Sequence, residues 1–247
     1  MIQLVRNDMI QFFKQLSGKL GSNIYAGFQG PSNPQNIAFI RQLQKELKNE
    51  NKLELPLNEL KVAVFDIETT GFYPERGDQV ISIGAVKMTG AQLQAEETFY
   101  SLVKSDSPLS DEISSLTRIH QEELLSAPAA RDVLLEFFKF VQSHILIAHH
   151  SKHEQSFMQK MSWDFLRTRF EHRIIDTSFL IRIGNPSLKP IPLEDICQEC
   201  GIEIKNRHHA LGDAMMTGHI WSYYLKLAQQ KGFNNLREVY EYIAKLR

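Results

Sequence analysis

Two carboxylates close an apolar run in KVAVFDIETTG, residues 61–71. Val62, Ala63, Val64 and Phe65 read as a buried strand, and Asp66 and Glu68 come next with only Ile67 between them. Side chains alternate across a strand, so the two acids face the same way, about 6.5–7 Å apart along it. Two anions so near a core repel each other and resist desolvation. Arginine or lysine partners, exposure at the strand end, or divalent cations would each relieve that, and carboxylate oxygens suit such cations. Asp-x-Glu alone does not choose among the three.

A second cluster lies far downstream in RHHALGDAMMTGHI, where a histidine and Asp213 flank a small-residue step at a predicted helix start. DIETTG together with this H-x-A-x-x-D resembles the DEDDh exonuclease superfamily, in particular the proofreading-type exonucleases related to the epsilon subunit of DNA polymerase III. The resemblance runs from about Lys61 to Tyr224. It includes EISSLTRIHQEELLSAP between the first two motifs and LIAHHSKHEQSFM in the place of the second.

The resemblance implies a ribonuclease H-like fold that removes nucleotides from 3′ ends by two-metal hydrolysis, with Mg2+ or Mn2+ as the ions. Asp66 would bridge both cations, Glu68 and Asp213 would complete the site, and His208 would activate the attacking water. Counting back from Asp213 selects His208, with Ala210 as the small residue, and leaves His209 as a flanking polar residue; in a loop either ring could approach the water. Two cations about 3.5–4 Å apart provide a nucleophile and neutralise the phosphate oxygens, and a histidine titrates in the useful range. Thr69, Thr70 and Gly71 come after the acids, in the turn that family members bring against the terminal nucleotide. Ile67 and Phe72 are candidates for apolar contact with a base, Ile67 equally for core packing, and His149 matches a family position after a buried strand. Arg167, Arg169, Arg173, Lys205 and Arg207 could meet phosphates, although charges on helix faces are commonly just solvated.

The second motif departs from the family's H-N-A-x-F-D. His150 stands at the Asn position, His153 at the Phe position and Glu154 at the metal-binding Asp position. Glu154 keeps the charge on a side chain one methylene longer, so it could hold the second cation directly or through water, or misplace it. Slower catalysis or a preference for manganese is the expected consequence. His149, His150 and His153 could suggest zinc, but no cysteine is near. The C-Q-E-C pair, Cys197 and Cys200, lacks the second pair of a zinc ribbon and falls in the last turn of a predicted helix, which makes it structural. Asp176 before TSFLIRI is placed as a helix cap.

The elements around these residues are legible from periodicity. KVAVFDIE and QVISIGAVKM read as strands and ETFYSLV as a third after a turn near Gly90, while ILIA and RII are short strands. DEISSLTRIHQEEL, RDVLLEFFKFVQ, EQSFMQKM, WDFLRTRF, ALGDAMMTGHIWSYYLKLAQQ and NNLREVYEYIAKL carry helical patterns. Strands joined by turns and then by helices give an α/β fold with a mixed sheet flanked by helices. Residues 1–60 read as an N-terminal helical extension and 61–247 as the exonuclease domain. In the extension, MIQLVRNDMIQFFKQL has amphipathic spacing, and Asn33 and Pro34 open a second helix with the stripe Ile37, Ile40, Leu43 and Leu47.

Composition sets the outer limits. The 247 residues are 43% hydrophobic, no apolar run is long enough to cross a membrane, and two cysteines form no disulfide framework, so a reducing cytoplasm is the expected compartment. A net charge of −1 lacks the basic surplus usual in a protein that coats long duplexes, so either nucleic acid is not the partner or contact is confined to a few nucleotides and helped by bound metal ions. The expected partners are single-stranded DNA 3′ ends, with RNA as an alternative, and a DNA polymerase. A catalytically weakened protein that binds DNA ends or a polymerase is the alternative function, and an adaptor with a vestigial site the third.

Overall fold

The structure is a computed structural model that describes residues 34–49, 52–186 and 191–246. The amphipathic segment at the N-terminus and the Asn33 cap lie outside the described residues. Backbone contacts divide the chain between Gln42 and Leu43. Helix α1 spans Pro34–Asn49, with Pro34 in its first position as expected.

The second unit is built on five strands: β1 (Lys61–Thr69), β2 (Val80–Thr89), β3 (Gln92–Leu102), β4 (Ile145–Ala148) and β5 (Ile174–Asp176). Their order is β3-β2-β1-β4-β5. Hairpin-linked β1, β2 and β3 pair antiparallel, whereas β4 and β5 add to β1 in parallel, so the sheet is mixed as predicted. Gly90, at φ 55°, makes the tight β2–β3 turn.

Helices cover the sheet. Asp111–Thr117 (α2) and Gln121–Ser126 (α3) are two short helices where one pattern was expected, because Arg118 turns left-handed between them at φ 61°. Ala130–Val141 (α4) precedes β4. Lys152–Leu166 (α5) is one helix where two patterns were expected, ended by left-handed Arg167. Asp176 caps Thr177–Ile181 (α6), its carboxylate accepting from Ser178 N at 2.9 Å. Leu193–Glu199 (α7) carries buried Cys197 near its end, with Cys200 just beyond it. Ala210–Gln230 (α8) and Leu236–Ala244 (α9) complete the fold. No described helix is long and apolar enough to cross a membrane.

The alternation of β1 decides what the site can be. Ala63, Phe65 and Ile67 point to one face, where the Phe65 ring lies 5.6 Å from that of Phe137 on α4. Val62 and Val64 point to the other and join the core made with Met216, Ile220, Trp221 and Leu225 of α8. Burying a side chain of this size contributes roughly 1.5–3 kcal/mol each, so α8 is held firmly along the strand. The same core includes Leu57 and Leu60 from the segment before β1. Asp66 and Glu68 continue the Val62–Val64 row beyond the apolar contact, toward the start of α8.

Candidate metal centre

Asp66 and Glu68 are half-buried at the end of β1, where the β1–β2 register slips between Glu68 and Thr69. Such a bulge bends the strand and re-aims the side chains beyond it. Asp213 enters from the first turn of α8, where the helix's positive end favours a carboxylate. One oxygen from each of Asp66, Glu68 and Asp213 lies within 4.8 Å of the others. Residues from distant parts of the chain thus meet, and among the described residues this trio is the cluster able to hold a metal ion.

Close approach of α8 to the sheet depends on a glycine. Gly84 pairs with Asp66 across the β1–β2 ladder, and a Cβ there would fall 2.1 Å from Leu211 N. The first turn of α8 therefore rests directly on the β2 backbone. Farther along, Ser222 Oγ donates to Ala91 O at 2.7 Å and fixes the helix's direction over the sheet.

Glu154, in the first turn of α5, does not join the trio but is only 4% exposed. Burial raises the pKa of Asp66 well above the usual carboxylate range, and the nearby charges of Glu154, Asp213 and Glu68 raise it further. Glu68 and Glu154 are also raised, chiefly by burial. Asp213 is raised by burial but held back by Arg207. Glu154 Oε2 and Asp213 Oδ1 are buried without a hydrogen-bond partner. Leaving charged oxygens bare costs several kcal/mol, and hard divalent cations are the ligand whose chemistry answers an all-carboxylate set. The donor set therefore fits such ions.

Arg207 is the feature the sequence left undecided. Sequence reasoning offers it as one of five phosphate candidates, yet its Nη1 donates to Asp213 Oδ2 and its Nε pairs with Glu194 Oε1 at 2.5 Å. Only its place beside His208 could have signalled this, and Glu194 gave no signal. Lys205, another of the five, pairs with Glu203 at 2.7 Å, and the Arg173 guanidinium sits 6.0 Å from the Tyr240 ring centre.

The adjacent histidines occupy different settings. His208 is left-handed at φ 61°, its backbone N–H donates to Asp213 Oδ2 at 3.2 Å, and its Nδ1 is 3.3 Å from Arg207 Nη1. Burial and then Arg207 push its pKa down. His209 caps α8, accepting from Gly212 N, and stacks on Tyr100 with ring centres 4.4 Å apart.

Around the strand end, Thr69 Oγ1 donates to Gly71 O at 2.7 Å and lies 3.4 Å from His153 Nε2. Asp78, which sequence reasoning missed, pins this turn: it accepts from Tyr73 N at 2.9 Å and from Thr70 Oγ1 at 3.4 Å. A Cβ on Gly71 would collide with the Asp78 carboxylate at 2.4 Å. Phe72 is 77% exposed and meets His153 edge-on, while Ile67 is 5% exposed and sits opposite Ile83.

His149 Nδ1 contacts Thr177 Oγ1 at 2.7 Å and its Nε2 contacts Ile191 O at 2.9 Å. Burial, with His150 beside it, pushes its pKa down to about 4. His150 also turns to Ile191 O, at 3.1 Å, whereas His153 faces Thr69 and Phe72, so the three rings do not converge as a zinc site would need. Burial tends to raise Asp176, but hydrogen bonds from Ser178 and Ser151 outweigh it and hold the carboxyl low. Asp176 supports the site by binding Ser151 N at 2.7 Å, just before α5.

The RNase T family model, described as an exonuclease, matches residues 63–221. The chain belongs to this exonuclease family. It is 32% identical over 168 residues to a PolC-type DNA polymerase III of Clostridium perfringens, covering 68% of this chain and 11% of that one. A DNA polymerase III subunit epsilon-like protein of Rhodobacter capsulatus is 28% identical over 188 residues, covering 75% of this chain and 27% of that protein. The chain thus spans about a tenth to a quarter of the length of these curated relatives. Among solved structures, E. coli Exonuclease I in complex with a dT13 oligonucleotide superimposes with a TM-score of 0.58 at 14% identity, over 74% of this chain and 43% of that one. The mixed sheet and its helices are the ribonuclease H-like fold of these exonucleases.

Proposed function

We propose that this exonuclease-family chain is a 3′–5′ exonuclease that hydrolyses single-stranded nucleic acid, DNA in the first place and RNA as the alternative. The observation that carries the proposal is the meeting of Asp66, Glu68 and Asp213 within 4.8 Å, with Asp213 Oδ1 bare and buried among them. Two Mg2+ or Mn2+ ions held there would neutralise the phosphate oxygens and lower the pKa of a water. Asp66, Glu68 and Asp213 would hold them, with Glu154 reaching in from α5. His208 would take the proton of the attacking water. The turn Thr69–Thr70–Gly71, together with Ile67, His149 and exposed Phe72, would receive the terminal nucleotide.

The exonuclease domain in this reading begins near Lys61, after an N-terminal extension. The kinship to DNA polymerase III proteins supports a polymerase as partner and the cytoplasm as its place of work. Incubating end-labelled oligonucleotides with protein and Mg2+ or Mn2+ tests the activity. Stepwise shortening from the 3′ end that Asp66→Ala abolishes supports it, and no shortening of single-stranded DNA or RNA with either ion refutes it.

Glu154 at the usual Asp position and Arg207 on Asp213 favour a second reading, a protein of weakened turnover that binds DNA ends or a polymerase. Retention of an end-labelled oligonucleotide without shortening would select it.

A further inference from the structure

Arg207 holds a place that a metal ion would need. Its Nη1 occupies Asp213 Oδ2, while Asp213 Oδ1 stays unpartnered and buried. The side chain of Asp213 is 4% exposed, so water screens this pair poorly. On its other edge the guanidinium binds Glu194, whose side chain is 34% exposed and lies at the start of α7, and which is not one of the clustered acids. One cation is therefore shared between a buried acid of the candidate centre and a half-exposed acid that is not part of the trio.

The same guanidinium acts on His208. Arginine only donates, so His208 Nδ1, 3.3 Å from Arg207 Nη1, must accept. A neutral ring that accepts at Nδ1 carries its hydrogen on Nε2. With Arg207 in place the imidazole has no free lone pair with which to take a proton from water. Left-handed Asn206 and His208 bracket Arg207, at φ 51° and 61°, and hold the loop where both contacts form.

We propose that Arg207 is a resident cation that exchanges with the divalent ions. In the ion-free protein it neutralises Asp213 and occupies the His208 lone pair; on loading it gives up Asp213 and His208 and is retained by Glu194. It is a positioning residue, since it acts through Asp213 and His208. The inference rests on the metal-site reading of the trio, and it makes two signed predictions that simple structural support of the loop does not. Removing the competitor should strengthen ion binding, and removing its resting partner should weaken it.

Calorimetric titration of the full chain with Mn2+ tests both, for the parent protein, Arg207→Met and Glu194→Gln, with Asp66→Ala as the control for site binding. Arg207→Met should bind Mn2+ about tenfold more tightly, the effect of some 1.4 kcal/mol of lost competition, and Glu194→Gln at least about threefold more weakly. Equal affinities in the three proteins, or weaker binding by Arg207→Met, overturn the exchange while leaving the metal site standing. Absence of binding by the parent and both variants overturns the exchange and the metal-site reading together. Should Arg207→Met fail to fold, Glu194→Gln decides alone: unchanged or tighter binding overturns the proposal.

Discussion

Gly84 and Leu211 are in contact so close that no other residue type fits at the first position. A Cβ on Gly84 would lie 2.1 Å from Leu211 N, and Gly84 is the ladder partner of Asp66. The missing side chain is what lets Asp213 come down onto Asp66 and Glu68. Gly84→Ala should therefore lift the start of α8 at a cost of about 1–3 kcal/mol. Small misplacement of reacting groups can cost about a hundredfold in rate, so the variant should lose nuclease activity while remaining folded at moderate temperature. Circular dichroism melting beside oligonucleotide turnover checks this; wild-type turnover would contradict it.

Crowded acids make the ion-free centre unstable in itself. Asp66 is raised by burial and by three neighbouring carboxylates. Asp66→Asn removes a carboxyl whose ionisation burial and its neighbours oppose, and should raise the melting temperature in chelator by roughly 2–4 °C, the shift expected for about 1 kcal/mol in a chain of this size. Added Mn2+ should then stabilise the parent but not the variant. A variant that melts lower in chelator would show that the repulsion is already relieved.

In the proposed reading, Glu154 stands for the second-motif acid on a longer arm. Shortening it with Glu154→Asp should raise turnover with Mg2+ up to about tenfold, within the range that repositioning commands, and narrow any advantage of Mn2+. Turnover numbers in each metal are the measurement, and no gain in either removes the proposed role of side-chain length.

His172 sets part of the pH dependence of stability. It is 7% exposed, its Nε2 donates to Gln142 O at 2.6 Å, and its ring packs against Phe138 and Phe170, with centres 5.3 Å away in each case. Burial pushes its pKa down from 6.5 to about 4, against the raising effect of the Gln142 hydrogen bond. Between those values the unfolded chain binds a proton that the folded one refuses, so stability falls as pH drops from 6.5 toward 4 and is intact above 6.5. The contribution is at most about 3 kcal/mol at 1.36 kcal/mol per pH unit. His172→Phe should be less stable at neutral pH, having orphaned the Gln142 carbonyl, yet show a shallower loss on acidification. Denaturant midpoints across this range test it; an unchanged slope would place the proton elsewhere.

Local order was legible in the residues themselves. ILIA is β4, the long amphipathic pattern is α8 from Ala210 to Gln230, and Asp176 caps α6. Period-2 alternation alone places Asp66 and Glu68 on one face, because strand geometry is set by near neighbours. The left-handed turns at Arg118 and Arg167, which split one helical pattern and ended another, were not legible, since neither arginine is a residue that announces such a conformation.

What remained was decided by packing. No spacing rule announces that Gly84 makes room for Leu211, that Asp78 pins the turn after β1, or that Arg207 reaches across to Asp213 and Glu194. The chain by itself determined which acids are available and which way they face. Only the tertiary structure decided their separation and their partners, because those depend on where a helix settles on a sheet, and that is set by the packing of side chains distant in sequence.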